Sequence, residues 1–154
     1  MALKEKEVID LDLSVTRKKA FRFDRDDSRI VELNISDMNI LSRLTDTYPK
    51  LNQWLIETQE LSASISDEED GIVAAEKLGN KLKEIDKSMR EAIDYIFNAP
   101  VSQAAAPDGS MYDIFEGSFR YEYILELLLK HYENNMATEF NKMKKHVEKY
   151  TKGK

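Results

Sequence analysis

The sequence predicts an α+β fold that is mainly α. An amino-terminal β-hairpin, with a third strand as an option, precedes a helical bundle with a long carboxy-terminal helix. Three observations carry this prediction. Residues 8–35 alternate apolar and polar side chains with period two. Residues 36–97 repeat apolar side chains at spacings of three and four, the helical period. The same spacing resumes after a Pro- and Ala-rich interruption and persists to Tyr150. At 154 residues the chain has the size of one domain. It divides into a hairpin region (8–35), a helical core (36–133) and a helical extension (134–154).

The first strand is read at Val8, Ile9, Leu11, Leu13 and Val15, with Asp10, Asp12 and Ser14 between them. Residues 20–24 and 29–35 alternate likewise around the polar turn Arg25-Asp-Asp-Ser28. This sets Phe21 and Phe23 on one face, opposite Val31, Leu33 and Ile35 of the partner strand. A hairpin alone is marginal in water, so it must pack on helices or pair with another chain.

Ser36 or Asp37 caps the next helix, whose stripe is Leu41, Leu44, Tyr48, Leu51 and Leu55. Pro49 removes a hydrogen bond within that stripe, which predicts a kink or a break after Thr47 or Tyr48. Trp54, one position off the stripe, is read as flank packing. A Ser-rich link follows. Ser66 and Glu69 have the capping-box spacing, and Asp67–Asp70 favour the positive end of the helix that follows. That helix buries Leu78, Leu82, Ile85, Met89, Ala92 and Ile96, with Gly79 read as a close helix crossing. Residues 98–109 read as a loop punctuated by Pro100, Pro107 and Gly109. The last helix is expected to open near Ser110 or Asp113 and to include Ile114, Phe115 and Phe119. It either runs on to Tyr150 or pauses at Asn134-Asn135. Its later stripe, Met136, Phe140, Met143, Val147 and Tyr150, needs something to bury against.

The residues point away from chemistry. There is no cysteine, so neither a disulfide nor a thiolate metal site can form. His131 and His146 are about four helical turns apart, too far to share a metal. The acidic run Asp67–Asp70 lacks the looping backbone that oxygen-ligated cations need. No glycine arrangement cradles a phosphate and no serine sits in a nucleophile elbow. The chain therefore reads as a non-enzyme without cofactor or metal. The net charge of −6 disfavours DNA and anionic lipid. The one basic run with aromatics, Arg17–Arg25, has its phenylalanines assigned to the hairpin core. The opening residues lack a signal-peptide core, and no run nears the roughly 18 apolar residues of a membrane span.

Charge is segregated. Residues 17–29 carry six basic groups against three acids, and residues 51–76 carry seven acids with no Lys or Arg. Residues 136–154 carry six lysines against Glu139 and Glu148. Such blocks suit head-to-tail contacts and equally suit solvated faces.

Over residues 8–132 the chain resembles the tail assembly chaperones of long-tailed phages and prophages of Gram-positive bacteria. The resemblance lies in Phe21-Arg-Phe, Leu-Asn-Ile-Ser-Asp37, Arg43-Leu44…Tyr48-Pro-Lys-Leu51 and Ala92-Ile-Asp-Tyr-Ile-Phe97, then Asp108-Gly-Ser110 before an amphipathic helix. The family often places Gly directly after the Phe, where this chain has Asn98. The resemblance implies a non-enzymatic protein of the host cytoplasm, absent from the mature virion. Such a protein acts as an oligomer that binds and solubilises the tape-measure protein during tail assembly. It also implies a longer form made by ribosomal frameshifting. The partners expected are the tape measure and further copies of the chain. Phe21, Phe23, Met136, Phe140, Met143, Val147 and Tyr150 are the candidates for partner binding or self-association. A small phage-encoded adaptor or inhibitor of a host protein is the alternative that the same features allow.

Overall fold

The computed structural model describes residues 6–12, 18–64 and 71–152. The element order is β1 (Lys18–Arg22), β2 (Ile30–Asn34), α1 (Asn39–Ser64), α2 (Gly71–Phe97), α3 (Val101–Ala105), β3 (Ile114–Phe115), β4 (Ser118–Phe119) and α4 (Arg120–Lys152). This is the mainly α, α+β architecture with an amino-terminal hairpin and a long last helix that the periodicities predict.

β1 and β2 pair antiparallel, with Phe21 opposite Val31 and Lys19 opposite Leu33. Val31 and Leu33 turn into the core while Ile30 faces out, as period two demands. The connection is two tight turns in succession. Asp24 and Arg25 both take positive φ (53° and 59°), and the Asp26 amide donates to the Phe23 carbonyl at 3.0 Å. Asp26 then accepts from the Ser28 hydroxyl and amide, which holds its carboxyl below its ordinary range. The third strand does not form within residues 8–12, which lie outside any sheet; Leu13 and Val15 fall outside the described residues. The Ser66–Glu69 capping box and the Asp67–Asp70 run also fall outside them.

Asp37 is the cap of α1. One carboxylate oxygen accepts from the Asn39 amide at 2.9 Å and the other from Arg43 Nη2 at 2.6 Å. Of the predicted kink or break at Pro49, the break does not occur: α1 continues through it. Its core face is also rotated from the predicted stripe. Ile40, Thr47 and Leu51 are buried, whereas Leu41 and Tyr48 are 49% and 64% exposed. α2 buries Ile85, Met89, Ala92, Ile93, Ile96 and Phe97, close to the predicted seam. Gly79 is not a close crossing: a Cβ placed there meets nothing within 4 Å.

Within the predicted loop, residues 101–106 fold inward around α3 and join the core, while Asn98, Pro100 and Pro107–Gly109 stay exposed. Val101, Ser102, Ala104, Ala105, Ala106 and Met111 are all buried. Asn98 reverses the chain at φ 50°, the left-handed conformation that a glycine would take at this position. Polar groups from the flanking elements then pin the segment. Arg29 donates to the carbonyls of Ala104 (2.8 Å) and Ala105 (2.6 Å). Asp94 accepts from the amide and hydroxyl of Ser102 (2.7 and 3.0 Å). Asp86 accepts from the Met111 amide at 2.7 Å and from Arg90, which in turn donates to the Gly109 carbonyl at 2.6 Å. The ties to Ala104, Ala105, Ser102 and Met111 satisfy backbone that burial would otherwise leave unpaired.

The last helix begins at Arg120, later than predicted. The intervening Ile114–Phe119 forms a second small hairpin, turned at Glu116 (φ 49°) and Gly117 (φ 82°). Glu122 accepts from the Phe119 amide at 3.1 Å and closes the first turn of α4. α4 does not pause at Asn134-Asn135. Asn135 is buried and donates to the Ile35 carbonyl at 3.1 Å, which fastens mid-helix to the strand–helix junction.

A candidate partner-binding groove

α4 runs antiparallel to α1. Its early Tyr121 lies near Tyr48, its Tyr132 near Asp37 and Arg43, and its Asn135 reaches Ile35 before α1 begins. α1 packs closely on α2, and its Ile40 and Leu51 share one core with Leu125, Leu128 and Tyr132 of α4. Between α1 and α4 lies a groove of about 330 Å³ walled by Leu44, Tyr48, Leu51 and Leu55 of α1 and by Tyr121, Leu125 and Leu129 of α4.

The rotation of α1 explains the groove. Leu44, Tyr48, Leu51 and Leu55 fall within about 60° of one another at 100° per residue. They are the stripe expected to be the core face. The core takes one edge of that stripe and the face beside it, through Ile40, Thr47 and Leu51 with Leu44 packed partly against it. A largely apolar wall is therefore left facing α4, with Asn52 and Glu122 as the polar groups at its edge. Burial pushes the Tyr121 hydroxyl upward, with smaller contributions from Glu122 and Tyr48, so the phenol stays neutral. Burial also pushes Tyr132 up to about 12, with Asp37 adding to the effect and Arg43 opposing it.

The candidate residues separate into two groups. Phe21 and Phe23 pack against the core, and Phe21 meets the His131 ring edge-on at 4.9 Å between centroids. These two rings dock the hairpin onto the helices, and the exposed His131 ring lies against Phe21. Met136 packs partly against the core. Phe140, Met143 and Val147 are 52%, 58% and 56% exposed. The Tyr150 side chain lies outside the described residues. Leu125, Leu129, Met136, Phe140, Met143 and Val147 share one face of α4 within about 60°. The groove wall thus continues as an apolar face down the projecting end of the helix. The signal for the α1 wall was the Leu41–Leu55 stripe itself, which periodicity finds but cannot assign to core or groove.

Trp54 packs against the core, as its place beside the stripe predicts, and lines a second hollow with Asp46, Lys50, Glu91 and Tyr95. Among the described residues, no group of His, Asp or Glu is disposed to hold a metal ion. No described helix is long and apolar enough to cross a membrane. The geometry defines a mainly helical α+β protein with an open apolar groove. No family model, no curated protein and no solved structure matches this chain.

Proposed function

We propose that this chain is a tail assembly chaperone of the long-tailed phage type. It holds apolar helical segments of the tape-measure protein in the α1–α4 groove and keeps them from aggregating until the tail tube closes around them. Several copies act along one client, in the host cytoplasm, and leave before the virion is complete. The reading rests on the resemblance in residues 8–132. The observation that carries it is the apolar groove of about 330 Å³ between α1 and α4, lined by leucine and tyrosine side chains. An amphipathic helix laid across it sets a few apolar side chains into the groove and leaves its polar face in water. At roughly 25 cal/mol per Å² of apolar surface, a few buried leucines contribute several kcal/mol per site. Repetition along a long client multiplies modest sites into tight overall binding.

Co-expression with the tape-measure protein of the same gene cluster, followed by light scattering, tests the proposal. A soluble complex with many copies of this chain per tape measure is expected. Leu41→Glu with Tyr48→Glu, both at exposed positions on the groove side of α1, should leave the fold intact and return the tape measure to the insoluble fraction. A tape measure that stays insoluble with the wild-type chain, combined with a one-to-one complex with a host factor, would favour the adaptor reading instead.

A further inference from the structure

The two banks of the α1–α4 groove differ in charge. On α1, the exposed residues within about 60° of Tyr48 are Leu41, Thr45, Asn52 and Gln59, none of them charged. On α4, between Arg120 and Asn135, the exposed residues within about 60° of Leu129 are Glu122, Glu126 and Glu133. Carboxylates thus follow one bank for about 16 Å of helix. Glu122 also caps its own helix through the Phe119 amide. Among the described residues, neither Glu126 nor Glu133 lies within ion-pair distance of a cation. Arg120 is taken by Asp113, and Lys130 stands about 100° round the helix from Leu129 and pairs with neither. We propose, on the footing that this groove holds a client helix, that the occupant is a basic amphipathic helix, with Lys or Arg flanking its apolar stripe on the side that meets α4.

An apolar floor by itself accepts any amphipathic helix, rolled either way about its axis. The glutamate bank removes that freedom. A helix with cations beside its stripe sets them over Glu126 and Glu133 when the stripe enters between Tyr48 and Leu129, and the opposite roll leaves them facing the uncharged α1 bank. A helix flanked by acids meets like charge and is turned away. Long cationic side chains suit the position. Their methylenes cover the leucines at the edge of the floor while the charged ends stay in water beside the carboxylates. Each water-exposed pair contributes little alone. Acting together they amount to about tenfold in affinity at low salt. Screening acts over about 10 Å at 0.1 M salt and about 3 Å at 1 M, so the charge preference fades with salt while the apolar contact persists.

Two fluorescent synthetic peptides test this chemistry. Both carry the same leucine stripe on a helical frame; one bears lysines along one flank and the other bears glutamates at the same positions. Anisotropy titrations with the full chain at about 0.1 M salt should show the lysine peptide binding about tenfold more tightly, with the two converging at about 1 M. Glu126→Gln with Glu133→Gln should remove most of the preference, and Glu126→Lys with Glu133→Lys should reverse it. Tyr48→Ala, which thins the apolar wall without changing charge, should weaken both peptides alike. Equal affinities for the wild-type chain, both weakened by Tyr48→Ala, would overturn the basic flank and leave the groove reading standing. Binding of neither peptide, or affinities untouched by Tyr48→Ala, would overturn the groove reading and the basic flank with it. A lysine preference that survives both glutamate variants would overturn the assignment to the α4 bank. A wild-type oligomer that falls to monomers in the lysine variant would give that bank to a second copy and overturn the client as its occupant.

Discussion

Single residues decide how the segment after α2 is held. Asn98 supplies a left-handed turn directly after Phe97, and its short polar side chain tolerates that conformation better than most. Gly109, at φ 138°, has no such substitute. A Cβ there would press against the Arg120 guanidinium and the Asp113 carboxylate. Gly109→Ala should therefore cost about 1–3 kcal/mol in chemical denaturation. Arg29 works through hydrogen bonds. Its side chain is only 15% exposed, and Arg29→Ala strands two carbonyls, so a loss of about 2–3 kcal/mol is expected by the same measurement. Tyr132 gives the fold an alkaline limit. Its hydroxyl ionises near 10 in the unfolded chain and at about 12 when folded. The folded state thus holds its proton longer, and stability is full below pH 10 and lost as pH rises toward 12. Tyr132→Phe should flatten that loss in denaturation curves taken across this window. None of these roles was legible in the sequence. Arg29, Asp86, Arg90 and Asp94 look like ordinary surface charges until the fold brings buried backbone within their reach.

At the scale of elements, periodicity located most of the secondary structure and misjudged what some of it faces. β1, β2 and α2 lie close to where alternation and three-four spacing put them. The α1 stripe exists as a stripe, yet only its Leu51 edge is buried, with Leu44 packed partly against the core, and Tyr48 and Leu55 wall a groove. Pro49 did not break α1. It removes one donor, and the helix is held on either side by Thr47 and Leu51 in the core. The second hairpin was missed because Ile114, Phe115 and Phe119 also fit a helical run. The Glu116-Gly117 pair, a two-residue turn ending in glycine, was the signal that could have found it. α3 was hidden by its composition: a short alanine-rich stretch between prolines reads as a loop, and only burial reveals it as core.

Among the described residues, a core is combined with an apolar face along α4 that is buried at Leu125 and exposed at Phe140, Met143 and Val147. The upper part of that face meets α1 across the groove, and the lower part projects as the segregated-charge end of the helix. The arrangement fits a protein that works by covering the apolar surface of others. The most direct test places a photoreactive amino acid at Tyr48, on the groove wall, and a second at Lys87, on the exposed side of α2, in chains co-expressed with the tape-measure protein. The chaperone account predicts strong cross-linking to the tape measure from position 48 and little from position 87. Equal yields from both positions, or a cross-link from Lys87 alone, would contradict the groove as the client site.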